Sequence, residues 1–357
     1  MRNLFIVGFL FILTGFTLQA QNPDSLLLKN YRPESIFHTP TSNIKQAEYP
    51  VIDVHSHDYA ANAAEIDRWV QNMDERGIEK VIILTKATGK KFDSVMKKYS
   101  EYPERFEIWC GIDYSNYNND TWPEKAIEEL ERCHAMGAGG VGELGDKGLG
   151  LSYCDPPAKG MHINDERMKP ILQKCAELGM PINIHVADPY WMYLPMDNTN
   201  DGLMNAYEWQ IDTTKENILL HGELIQTLEE AVKENPQTTF IACHFANCSY
   251  DLEILGNLFK KYPNLYADIS ARFFETAAIP RFVNTFYKKY KDRLLYGTDM
   301  GFNSDMYKTT FRILESADEH FYTSYSYHWP LYGLDLPNHV LEKVYRSNAL
   351  EILDLEK

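Results

Sequence analysis

The chain has 357 residues, with 35 Lys and Arg against 51 Asp and Glu, and a formal net charge of −16. Hydrophobic residues make up 44% and charged residues 24%, a globular composition that excludes a disordered, collagenous or multi-span membrane chain. The negative charge argues against nucleic acid or anionic lipid as a partner and favours a small-molecule substrate.

Residues 4–18 are apolar apart from two Gly and two Thr, and Arg2 precedes them. The run is short for a membrane span and fits a signal peptide over 1–20, ending at Ala20, with no stable membrane anchor. Export to the periplasm or the medium is therefore expected. Residues 21–47 are polar, with Pro23, Pro33 and Pro40, and read as a lead segment. Residues 48–357 read as one domain. Its length allows a large core without a disulfide framework. Four of the six cysteines, Cys110, Cys133, Cys175 and Cys243, fall within apolar patterns and read as small core residues. A bridge involving Cys154 or Cys248 stays open.

From residue 50, short apolar β-branched runs alternate with longer amphipathic ones. Strands are expected over 51–55, 80–84, 106–112, 140–144, 182–186, 239–244, 265–269 and 293–296. Helices are expected over 63–76, 123–135, 165–178, 223–234, 251–261 and 276–290. Eight strands alternating with helices fit either an open doubly wound sheet or a closed (β/α)8 barrel. One connection, 187–220, is unusually long and carries Tyr190, Trp191, Tyr193 and Trp209, which suggests a lid.

The chemistry-bearing residues cluster at strand ends. Strict alternation along the first strand puts Asp53, His55 and His57 on one face, so that the two imidazoles can converge on one metal. Glu143 interrupts the apolar fourth strand, where an unpaired carboxylate would be costly to bury. His185 and His244 lie near the ends of the fifth and sixth strands, and Asp299 just beyond the eighth. In a closed barrel these positions share one rim. Four His and two carboxylates make a sensible ligand set for zinc, manganese or iron.

These motifs closely resemble the amidohydrolase superfamily of metal-dependent (β/α)8 barrels. The branch most similar is the amidohydrolase-related one, which includes lactonases of sugar acids and non-oxidative decarboxylases. The resemblance covers roughly residues 50–354. It is carried by Asp53-Val-His-Ser-His57, His185, His244, Gly297-Thr-Asp299, the stretch Pro263-Asn-Leu-Tyr-Ala-Asp-Ile-Ser270 and the tail beginning at Leu341. It implies an α/β TIM barrel in which His55, His57 and Asp299 bind metal, His185 is a further ligand, and His244 is a second-metal ligand or an acid/base. Many two-metal members bridge their ions with a carboxylated lysine on the fourth strand. Here Glu143 occupies that place, which raises the odds of a binuclear site.

On this resemblance the expected cofactor is one or two divalent ions, zinc first, with manganese or iron as alternatives. The expected reaction is hydrolysis of a small lactone, ester or amide. Bound metal lowers the pKa of its water from about 16 to about 7, and Asp299 takes the water proton. Arg272, just past the seventh strand, can hold a substrate carboxylate, while Tyr190 and Trp191 can stack on a ring. A metal-dependent decarboxylase and a non-catalytic metal- or sugar-binding barrel are the alternatives. A homo-oligomer is left open.

Overall fold

A computed structural model describes residues 22–353. The expected signal peptide lies outside them. No described helix is long and apolar enough to cross a membrane. Eight strands form the centre: β1 Val51–Ser56, β2 Ile78–Leu84, β3 Phe106–Trp109, β4 Val141–Asp146, β5 Ile182–Val186, β6 Phe240–Ala242, β7 Leu265–Asp268 and β8 Leu294–Leu295. All pair in parallel, as β1-β2-β3 and β4-β5-β6-β7-β8.

Backbone hydrogen bonds close both seams. Cys110 N donates to Gly140 O (3.0 Å) and Gly142 N to Cys110 O (2.9 Å), joining β3 to β4. Val54 N donates to Tyr296 O (2.9 Å) and Asp299 N to His55 O (2.8 Å), joining β8 to β1. The open-sheet alternative is thereby removed, and the chain is an α/β TIM barrel.

The helices form where the sequence supplies caps and an apolar stripe. In α1 (Ala63–Arg76) Asn62 caps the amide of Glu65, Gly77 ends the helix at φ +78°, and Ile66, Trp69 and Met73 face the barrel. The expected helix over 276–290 is divided in two, Phe273–Thr276 and Pro280–Tyr290, with Pro280 opening the second. Within the long 187–220 connection lie a 3₁₀ turn, Tyr190–Tyr193, and a helix, Leu203–Trp209, too short to leave a period in the sequence. All six cysteines are buried and none is bridged.

The barrel has two apolar layers. Ile52, Val54, Ile82, Leu84, Trp109, Ile241 and Leu295 fill the interior with Ala349 and Leu353 of the final helix, and a larger cluster lies between strands and helices. Gly140 makes room for Trp109, since a Cβ there would fall 2.5 Å from the indole.

Pairing registers shift at three places, between Val51 and Ile52 and between Asp53 and Ser56 on β1, and between Val141 and Leu144 on β4. Such irregularities re-aim side chains. They correct the expectation that Asp53 shares a face with His55 and His57. Asp53 instead accepts from Thr298 N (3.0 Å) and Thr298 Oγ1 (2.6 Å), fastening the segment that carries Asp299.

Trp109→Ala empties the centre of the barrel and should cost about 3–5 kcal/mol. Denaturant unfolding followed by circular dichroism measures it, with a loss below about 1 kcal/mol contradicting this interior role.

Candidate metal centre

Three histidines reach the rim with one ring nitrogen already held by oxygen. His55 Nδ1 lies 2.9 Å from Asp268 Oδ2, His57 Nδ1 lies 2.8 Å from Leu84 O, and His244 Nδ1 lies 3.0 Å from Ser270 O. Carbonyl and carboxylate oxygens only accept, so each Nδ1 carries a proton and each Nε2, where no second proton occupies it, presents a lone pair.

Those lone pairs converge on two carboxylates. His57 Nε2 is 3.2 Å and His55 Nε2 3.9 Å from Asp299 Oδ1. His57 Nε2 is 3.6 Å from Glu143 Oε2 and His55 Nε2 3.8 Å from Glu143 Oε1. His244 Nε2 lies 3.7 Å from both Glu143 and Asp299. Overlapping groups of these side chains, each with ligand atoms within 4.8 Å of one another, can hold an ion.

Two observations test the fit of a cation. His55 Nε2 is buried without a hydrogen-bond partner among the described residues, which is costly unless something fills the gap. Burial should also lower the His55 pKa, yet Asp268, Asp299 and Glu143 push it up to about 10. The carboxylates therefore create a strong demand for positive charge. The centre fits a divalent ion, with Asp268 supplying the outer-shell carboxylate that orients a ligating His.

Two further ionisable groups, His244 and Asp299, behave differently from His55. Burial pushes His244 down to about 4, although Glu143 pulls the other way, so its imidazole is neutral at pH 7. Burial alone would raise Asp299, but His55, His57 and His244 hold it well below the usual carboxylate range. Tyr59 donates to Asp299 Oδ1 at 2.9 Å.

His185 joins the cluster with both ring nitrogens on carboxylates. Nδ1 is 2.8 Å from Glu143 Oε1 and Nε2 is 3.3 Å from Asp188 Oδ1. Lys147 in turn sits 2.8 Å from Asp188.

Above the cluster opens a cavity of about 440 Å³ lined in part by Arg272, Lys147, Phe274, Trp209 and Tyr327. Arg272 gives Nε (3.1 Å) and Nη2 (2.6 Å) to Asn247 Oδ1, which fixes its plane. Tyr190 and Trp191 do not line this cavity. Tyr190 stacks on Tyr250 at 4.3 Å and Trp191 packs near Trp329. From the same connection, Met192, Asn205 and Trp209 face inward instead.

Sequence reasoning missed Asp268, Tyr59, Asp188 and Lys86. Asp268 lies within a motif stretch that supplied no role for it. The others had no spacing signal.

Comparison with known proteins adds the family. Solved structures that share the fold include three decarboxylases. A 2,6-dihydroxybenzoate decarboxylase from Rhizobium is 17% identical, with a TM-score of 0.53 over 87% of this chain and 100% of its own. A dihydroxybenzoic acid decarboxylase from a Polaromonas species, with bound manganese and 2-nitroresorcinol, is 17% identical, with a TM-score of 0.56 over 87% and 98%. A 5-carboxyvanillate decarboxylase from Novosphingobium aromaticivorans, complexed with manganese, is 14% identical, with a TM-score of 0.53 over 88% and 100%. No curated protein sequence matches. The profile of one family does match, over residues 38–355, and by it the chain belongs to the amidohydrolase family.

Proposed function

We propose that this protein is a metal-dependent non-oxidative decarboxylase of a small, ring-bearing carboxylic acid. The observation that carries the reading is the convergence of three oriented Nε2 atoms and two carboxylates on one compact centre beneath a cavity containing Arg272. The likeness to three decarboxylases supports it as fold-level analogy. In this reading His55, His57, Glu143 and Asp299 would hold one divalent ion, which would supply a Lewis acid for the substrate oxygens. Manganese is the first choice, with zinc and iron as alternatives.

The chain's own groups do the rest. Arg272, with one edge fixed by Asn247 and Nη1 also donating to Ala271 O, takes a substrate carboxylate on its remaining N–H groups. Phe274, Trp209 and Tyr327 supply apolar walls for the ring. Loss of CO2 breaks the bond to the carboxyl carbon and leaves an electron pair on the ring carbon, where a proton must replace it. Neutral His244 and ionised Asp299, 3.7 Å apart, are the relay that carries this proton from solvent. Export of the protein, on the strength of residues 1–20, belongs to the same proposal, as does a small-molecule substrate.

Hydrolysis of a lactone, ester or amide is the second reading. It is favoured by Glu143, which is shared between ligand groups and could bridge two ions over an attacking water.

A paired assay separates the two. Manganese-loaded protein is offered 2,6-dihydroxybenzoate and 5-carboxyvanillate with CO2 release followed, and sugar lactones and aryl esters with acid release followed. Release of CO2 abolished by chelator and restored by manganese is expected. Acid release alone would overturn the decarboxylase reading.

Asp299→Asn should lower kcat at least about 100-fold with the fold retained. A variant keeping most of its activity contradicts the relay. Asp268→Asn should weaken metal binding about 10–100-fold, read by competition with a fluorescent chelator. Unchanged affinity in a folded variant would remove Asp268 from the centre's support.

A further inference from the structure

One charged side chain in the centre has no part in either reaction. Lys86, two residues past β2, places its ammonium 2.8 Å from Glu143 Oε2. The backbone holds it there. Its N–H donates to Gly142 O at 3.1 Å, on the residue before Glu143. Its φ is +58°, a region costly for a side-chain-bearing residue, and its carbonyl lies against Gly111, where a Cβ would fall 2.3 Å from the oxygen. The position is built rather than a chance swing of a surface lysine.

Glu143 is the group best placed to bridge two ions. The groups His55–His57–Glu143 and Glu143–His185–His244 meet on it. A second dication, however, would have to settle beside the Lys86 ammonium. The Glu143 side chain is 6% exposed and that of Lys86 30%, so water screens that repulsion only in part. Lys147, bound to the Asp188 that holds His185, is a further cation lining the cavity.

We propose that Lys86 is a resident cation standing in for a second metal ion, so that this glutamate-containing centre holds one divalent ion. The inference rests on the one-ion reading above and gives its cause.

The test uses the full chain, stripped with chelator and titrated with manganese. Bound metal is counted by elemental analysis, and spin coupling is read by low-temperature electron paramagnetic resonance. The parent protein should bind one ion per chain and show isolated manganese. Lys86→Met should bind two and show exchange-coupled manganese. Lys86→Arg, which keeps the charge, should stay at one. Should Lys86→Met fail to fold, Lys86→Gln is read the same way. A neutral variant that still binds one ion, or none, overturns the role of Lys86 while leaving the one-ion reading standing. Two ions in the parent protein overturn both, and no ion in the parent overturns the metal centre itself.

Discussion

The buried carboxylate of Asp268 is the contact on which the rim depends. One oxygen takes His55 Nδ1 at 2.9 Å and Asn183 Nδ2 at 3.1 Å. The other takes the amides of His244 (3.0 Å) and Ser270 (3.1 Å), and the Ser270 hydroxyl as well. Ser270 Oγ then lies 2.8 Å from His244 Nδ1. A single charge below the centre thus sets the tautomer of one histidine and the backbone of another. Burial opposes that charge, but His55 and the hydrogen bonds hold its pKa well below the usual range. Five accepted bonds leave none of the roughly four lone-pair sites of a carboxylate unfilled, which is how a group with no exposure remains ionised.

The rim above is held in backbone conformations that only a rigid support sustains. His244, Phe245, Ala246 and Asn247 run in the left-handed region at φ of +53° to +60° without a glycine among them. Such residues cost roughly 1–2 kcal/mol each. Asn247 repays part of this locally, donating to Val186 O and Ala187 O while accepting from Arg272. His221 contacts Asn247 O at 2.9 Å from beneath a cage of Tyr190, Tyr193 and Tyr250. Tyr190, Tyr193 and Tyr250 therefore brace the turn that aims Arg272, through packing, while Trp209 of the 187–220 connection lines the cavity itself.

That outcome marks where the sequence was legible. Eight short β-branched runs and the polar residues at their ends were enough to place His55, His57, Glu143, His185, His244 and Asp299 around one opening, because strand ends converge whatever the loops do. Tyr190 and Trp191 were not legible as bracing residues, since a long connection folds through contacts with Tyr250 and Trp329 far along the chain. Asp53 went astray for a local reason. Alternation predicts faces only while the register is regular, and β1 shifts between Asp53 and Ser56. Lys86 follows a strand end, as many surface lysines do. Only the left-handed backbone and the hydrogen bond to Gly142 distinguish it.

The charge balance of the whole chain and that of the cavity point in opposite directions, and distance reconciles them. A net charge of −16 disfavours a long polyanion, which would meet the acidic surface over many Debye lengths. A small acid meets that surface only while approaching, where salt screens it beyond about 8 Å. Once inside it meets Lys86, Lys147 and Arg272 in the cavity wall. Glu143, Asp188 and Asp299 offset those three charges. A divalent ion would tip the balance, leaving an excess of positive charge matched to an anionic carboxylate. An acidity that disfavours a polyanion is thus compatible with a carboxylate substrate, because the field a small molecule feels is that of its nearest neighbours.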